Sequence, residues 1–429
     1  MNGRGEVQRR ALLATSGRAM VAALLGSTGL TSRLFANEHA SSSDMLELRL
    51  AELIEAYDAQ GNHRTATAVD NASAEWLAGQ IRQSGIEPSL ETFSVVRIDP
   101  LPCYLRIADR RIEGVPLFDG SFTGPEGVHG TFGPLGSGAD IVLVETEPFT
   151  LIEPRKELGG PVPEARRGSH KGVIILTRGS RPGLFVLNAP SFKTPFGPPA
   201  LQISSAESEW VKARAQERAE VSLVAPVERT TTQAINVTAR IAGSDPGLAP
   251  LIITTPRSGW WECASERGGG LACWLQAIEA LAAAKPARDC LFAAFSGHEI
   301  GFLGIDAYLA TRPDLAKRAH AWIHIGANIG APRQPNQVHV SDASLESLIA
   351  AALGKQGLGI DNKAEPGSVP RGEAGTIHRG GARYVALVTG TQVFHNTADR
   401  WPDAVDIAVV ARYARAFATG ALELAQQRS

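Results

Sequence analysis

A mostly parallel α/β sheet flanked by helices, interrupted by a β-rich insert, is the fold class this sequence predicts. From Thr232 onward, short apolar runs alternate with longer helical patterns, which is how parallel strands and their crossover helices read. Within that part, Leu291-Phe-Ala-Ala-Phe295 is uncharged and turns through Ser296-Gly-His298-Glu299 into a Gly-rich stretch, as a buried strand followed by a turn into a helix would. Residues 101–230 break the pattern, being rich in Gly and Pro with only short strand-like runs. Ligands in open α/β sheets bind at the carboxyl ends of strands, so the His298-Glu299 pair stands where chemistry is expected.

The bulk numbers narrow the partners. A chain of 429 residues holds two domains or one large domain with an insertion. With 44% hydrophobic and 20% charged residues and a formal net charge of −2, nothing points to nucleic acid or an anionic membrane. Residues 1–36 read as an export signal of twin-arginine type, with Arg9-Arg10-Ala-Leu-Leu13 ahead of a short apolar stretch from Met20 to Leu30. The expected location is therefore periplasmic or extracellular, with no membrane contact once the signal is removed. Cys103, Cys263, Cys273 and Cys290 are expected mostly as free, buried thiols. Disulfides stay open for an exported chain.

The elements follow in order. Leu46, Leu50, Leu53, Ile54 and Tyr57 form one face of a helix from Asp44. Gly61-Asn-His-Arg-Thr65 leads to a second helix around Ala72–Ser84, ended by Gly85, and 86–97 read as a strand. In the insert, strand-like runs fall at Ile141–Val144, Gly172–Leu176 and Leu184–Leu187, and Pro195-Phe-Gly-Pro-Pro199 is a loop. Lys171-Gly-Val-Ile-Ile-Leu-Thr-Arg178 and its setting resemble a protease-associated domain. Thr232–Ile241, Leu251–Thr254, residues 290–296, Ala321–Ile325 and Tyr384–Thr389 read as strands. Helices are expected at Gly270–Ala284, Ser344–Leu353 and Ala404–Gln426.

Three motifs, Gly61-Asn-His-Arg-Thr65, Phe295-Ser-Gly-His-Glu-Ile-Gly-Phe-Leu-Gly304 and His395-Asn-Thr-Ala-Asp399, stand in this order over residues 44–100 and 231–429. Together they resemble the M28 metallopeptidases, zinc aminopeptidases with glutaminyl cyclases as relatives. The resemblance implies a zinc-exopeptidase-like domain and five ligand positions around two zinc ions. Three are matched by Glu266, Glu299 and His395. The other two fall on Thr255 or Pro256 and on Ala327, none of which binds zinc. The family's base, the first Glu of a Glu-Glu pair, is replaced by His298.

The resemblance therefore implies one zinc at most, held by Glu266, Glu299 and His395, with His298 shuttling the proton. A rival assignment makes His298 a ligand and leaves Glu299 as the base. A metal-free site stays open as well, in which Arg267 pairs with Glu266 or Glu299. Gly259-Trp-Trp-Glu-Cys-Ala-Ser-Glu-Arg-Gly-Gly-Gly270 is the most unusual stretch. Trp260 and Trp261 are candidates for an apolar substrate wall, and Arg257 and Arg267 for a carboxylate grip. The alternative is that the tryptophans pack under the insert. Asp399 is expected to orient His395 or to cap the next helix. His63, His170, His324 and His378 are expected to be structural. The lead expectation is an exported hydrolase of a peptide or small amide. A single-metal cyclase or lyase, and a peptidase-like binding protein without turnover, are the alternatives.

Overall fold

After the helices Ser42–Asp58 and Ala68–Gln83, the chain enters β1 (Pro88–Pro100). It then builds β2 (Tyr104–Ile107), β3 (Arg110–Pro116), β4 (Val128–Pro134), β5 (Ile141–Thr146), β6 (Gly172–Thr177), β7 (Ala200–Ile203) and β8 (Glu220–Val224). These seven close into a barrel in the order β2-β3-β7-β6-β5-β4-β8. The chain returns as β9 (Val227–Ile241), antiparallel to β1 from Pro88↔Ala239 to Pro100↔Val227. Departure and return thus lie side by side, which is how a long insert leaves a sheet undisturbed. The computed structural model describes residues 42–147, 160–365 and 367–428. The expected export signal at 1–36 lies outside them. Sheet, barrel and site all belong to the unit Leu46–Ser429.

The remaining strands are β10 (Leu251–Pro256), β11 (Cys290–Phe295), β12 (Ala321–Ile325), β13 (Asn336–Val340), β14 (Asn362–Lys363) and β15 (Tyr384–Thr389). The large sheet runs β1-β9-β11-β10-β12-β15-β13-β14, and its centre, β11-β10-β12-β15, is parallel. Successive side chains on these central strands point to opposite faces, and both faces are covered, so the strands are mostly apolar, with Thr254, Thr255 and His324 as buried polar exceptions. Leu251, Ile253, Phe292 and Ile323 pack with Trp274, Leu275 and Phe417 of the helices Gly269–Ala284 and Ile407–Gln426. Ile252, Ala293, Phe295 and Trp322 pack with Ile305, Tyr308 and Ile377 of the helices Leu303–Ala310 and Glu373–Arg379.

Several boundaries differ from expectation for local reasons. The second helix starts at Ala68 because Thr67 caps it, its side chain accepting from the Asp70 N–H. The last helix starts at Ile407, capped by Asp406 accepting from Val409 N–H. Leu184–Leu187 is no strand of the barrel; Phe185 makes one antiparallel bridge to Asn396 instead. All four cysteines are free and buried.

Gly268-Gly269-Gly270 opens the helix that follows β10, and a close approach explains it. A Cβ at Gly269 would collide with the Ile329 carbonyl oxygen, and one at Gly268 would press on Ile54. Gly269→Ala is therefore expected to destabilise by about 1–3 kcal/mol or more, from overpacking against backbone that cannot rotate away. Urea unfolding checks this, and an unchanged midpoint would contradict it.

Candidate functional site

The carboxyl ends of β10, β11 and β12 deliver Arg257-Ser258, Ser296-Gly-His298-Glu299 and Gly326-Ala-Asn328 to one edge of the sheet. A π-helical turn, Ala264–Gly268, brings Glu266 and Arg267 to the same edge. Cys263 and His395 there adopt φ of 56° and 59°, so backbone strain is concentrated around the site. Asp399 fixes that turn: its two carboxylate oxygens accept from Ser265 N–H and Glu266 N–H at 2.7 and 2.9 Å. It neither orients His395 nor caps the helix after it. His395 is oriented by a strap from the barrel, its Nδ1 donating to Val186 O at 2.8 Å. The same strap donates from Ala189 N–H to Glu299 O.

His298 Nδ1 lies 2.7 and 2.8 Å from the two carboxylate oxygens of Glu373. Burial pushes Glu373 up, but His298, with His324 and Arg267 behind it, prevails and holds the carboxyl at about 2. An ionised Glu373 only accepts, so the proton sits on His298 Nδ1 by assignment from its partner. With Nδ1 so engaged, Nε2 is the ring nitrogen left to take up or release a proton. His324 extends the chain inward, with Nε2 3.9 Å from Glu373 and Nδ1 3.0 Å from Thr254 Oγ1. Sequence reading missed Glu373 altogether and set His324 aside as structural. His63, His170 and His378 do play structural parts, on Tyr57, Ala139 O and the Tyr384 hydroxyl.

The expected ligands behave differently from one another. Glu299 is fully buried and already engaged: Oε1 accepts from Thr65 N–H (2.7 Å) and Thr65 Oγ1 (2.5 Å), and Oε2 from Ser258 Oγ (2.7 Å). Glu266 Oε1 lies 2.7 Å from Arg267 Nη2 and 3.4 Å from His395 Nε2. None of these three buried atoms has a partner of good hydrogen-bond geometry, so the Arg267–Glu266 contact is an ion pair by distance rather than a well-aligned bond. Burial favours a neutral Glu266, yet Arg267 and then His395 outweigh it and hold the carboxyl at about 2.

A zinc site is tested by whether these groups converge. Among the described residues, Glu266, Glu299 and His395 do not form a group with all ligand atoms within 4.8 Å; Cys263, Glu266 and Asp399 do. In that group, burial and then the Glu266 carboxylate hold Cys263 as a thiol, and Asp399 serves the turn. The nearest cation to Glu266 is Arg267. Neither the family's two-zinc set nor the three-residue remnant fits the arrangement present.

Arg257 and Trp260 are not available to a substrate. Arg257 is buried, with Nη1 2.8 Å from Asp70 Oδ1 and Nε donating to Ile235 O. Trp260 is buried against Phe118, with its ring N–H on Asn188 Oδ1, so it packs under the insert. Trp261 is half-buried and donates to His395 O. Arg267 is buried, bonded to Ser258 O and Glu266 O.

The buried imidazoles set an acid limit. Burial lowers His63 to about 3 and His324 and His339 to about 4. With folded values below the unfolded one, their stabilisation is complete above about pH 6.5 and is lost as pH falls through 4. Asp399, raised to about 7 by burial and Glu266, acts oppositely, its contribution lost as pH rises through 7. The three imidazoles, joined toward the acid end by the depressed Glu266 and Glu373 carboxyls, outweigh Asp399 and the raised Asp70, so urea midpoints are predicted to fall from about pH 6.5 to 4. Midpoints that hold or rise over that range would contradict it.

No family model matches this sequence, and no curated protein does. Solved structures do. A zinc aminopeptidase from Bacillus subtilis superposes with a TM-score of 0.72 at 15% identity, covering 92% of this chain and 97% of that one. A peptidase M28 precursor from Shewanella amazonensis SB2B gives 0.72 at 16%, covering 90% and 96%. An aminopeptidase from Aneurinibacillus sp. strain AM-1 gives 0.66 at 16%, covering 89% and 94%. The chain has the fold of the M28 zinc metallopeptidases.

Proposed function

We propose that this chain is an exported, peptidase-like hydrolase of a peptide or small amide bond, in which His298 handles the proton and Glu373 sets its tautomer. One observation carries the reading: His298, which the resemblance aligns with the family's base, is clamped through Nδ1 by a buried carboxylate. A base held by a third group that fixes its tautomer is the arrangement proton-transfer catalysis needs. His298 Nε2 would accept the proton of the water attacking the carbonyl, and Glu373 would stabilise the imidazolium. The same Nε2–H would then protonate the departing amine. No step is assigned to zinc, because the residues present do not close a zinc site. The fold shared with aminopeptidases supports a peptide-like substrate, and we assign the half-buried Trp261 to its apolar wall. Export rests on the Arg9-Arg10 motif.

A second reading, binding without turnover, is favoured by the depth of the Arg267–Glu266 pair, both about 1% exposed. A panel of aminoacyl p-nitroanilides, N-acyl amides and dipeptides separates the two. The hydrolase reading expects amine release by the parent and roughly a tenfold or greater loss in Glu373→Gln. No release from any member, by protein that still binds one of them, would favour the binding reading.

A further inference from the structure

We infer that the Arg267 guanidinium is the resident cation of this site, and that it keeps a metal from bridging Glu266 and His395. The inference concerns the same site as the hydrolase reading, but its test does not use turnover. Three observations carry it. The first is position: Arg267 Nη2 is 2.7 Å from Glu266 Oε1, the oxygen that also faces His395 Nε2 at 3.4 Å. A metal bridging that carboxylate and that imidazole would have to share Oε1 with a permanent positive charge. The second is anchoring. Arg267 Nε donates to Ser258 O at 2.6 Å and Nη1 to Glu266 O at 3.1 Å, and the residue is 1% exposed, so the side chain has no solvent to swing into. Two cations in one buried pocket repel strongly, since charges interact several-fold more strongly there than in water. The guanidinium, unlike a lysine or histidine, does not deprotonate to make room.

The third observation is that ligand atoms are present once the guanidinium is discounted. Cys263 Sγ, a Glu266 oxygen and an Asp399 oxygen lie within 4.8 Å of one another, and Sγ is 3.6 Å from Glu266 Oε2. His395 supplies an independent pointer, a buried Nε2 with no hydrogen-bond partner, on the far side of the Glu266 carboxylate. A carboxylate and an imidazole are donors that zinc or cobalt(II) accepts, and Glu266 offers one face to His395 and the other to Cys263. Only Glu266 and His395 of these occupy ligand positions of the M28 pattern. Cys263 and Asp399 belong to this chain's own turn.

Cobalt(II) titration of the full chain tests this, read by visible absorption and by metal content after gel filtration. The parent is expected to retain less than about 0.1 cobalt per chain, and Arg267→Ala to bind with at least about 100-fold higher affinity, with the intense visible bands of a site of low coordination number. The added variant Arg267→Ala/His395→Ala should lose that gain. Arg267→Gln, which keeps a donor for Ser258 O, serves if the alanine variant does not fold, and the parent's own titration decides if neither folds. One cobalt per chain in the parent, lost in Glu266→Ala, would overturn the inference. A folded Arg267 variant that takes up no more cobalt than the parent would overturn it as well. An inactive but metal-free parent would leave it standing while removing the hydrolase reading.

Discussion

Replacing His298 by glutamine should lower amide hydrolysis by about 10²- to 10⁴-fold, the range general acid–base catalysis contributes. Glutamine can still donate to Glu373, so the buried carboxylate keeps a partner and the fold should survive. KM should change little, because His298 acts on the proton rather than on substrate affinity. Glu373→Gln should give a smaller loss, because the imidazole keeps a partner on Nδ1 but the imidazolium loses its counter-charge. The two variants together distinguish a proton carrier from a group that merely packs. Steady-state rates against pH provide the check; equal rates in parent and His298→Gln would remove His298 from the mechanism.

The largest stability effect is expected at Arg257, far from any substrate. Its guanidinium holds Asp70 at 2.8 Å, and also bonds Asp70 O and Ile235 O, with both residues buried. Burial already raises the Asp70 carboxyl above its ordinary value despite Arg257 beside it. Arg257→Met would leave that carboxyl with Ser296 Oγ and the Ala66 N–H as partners. Breaking a buried pair from one side costs about 3–5 kcal/mol, against about 1 kcal/mol or less for an exposed pair such as Arg82–Glu87. Denaturant unfolding of the two single variants, Arg257→Met and Arg82→Met, makes the comparison. Similar losses in both would contradict the assignment of Arg257 to the scaffold.

The same residue shows where sequence reading ends. The central strands were legible because a doubly covered parallel sheet needs unbroken apolar runs, and β12 and β15 begin and end where the runs do. The barrel was legible as a change of composition but not as seven strands, since pieces such as Tyr104–Ile107 and Ala200–Ile203 are too short to show a period. Arg257 looked free because Asp70, its partner, stands on a helix 187 residues earlier. Glu373 went unread for a related reason. It opens a seven-residue helix after Pro370-Arg-Gly372, with no periodicity to mark it, and gains meaning only through its contact with His298. Trp260 and Asp399 show the converse. They drew attention as a substrate wall and as a partner of His395, whereas packing under the barrel and capping of the Glu266 turn account for them. Residue identities marked the edge of the sheet where the site lies, and contacts between distant segments decide what each residue does there.

The central claim is that His298, clamped by Glu373, works without a zinc centre. Hydrolysis of the best substrate of the amide panel, by protein stripped with chelator and assayed in its presence, tests this most directly. The rate should stay within about twofold of the untreated protein, because no barrier lowering is assigned to a metal, and should fall about 10²- to 10⁴-fold in His298→Gln. A rate that collapses on stripping and returns with added zinc would contradict it.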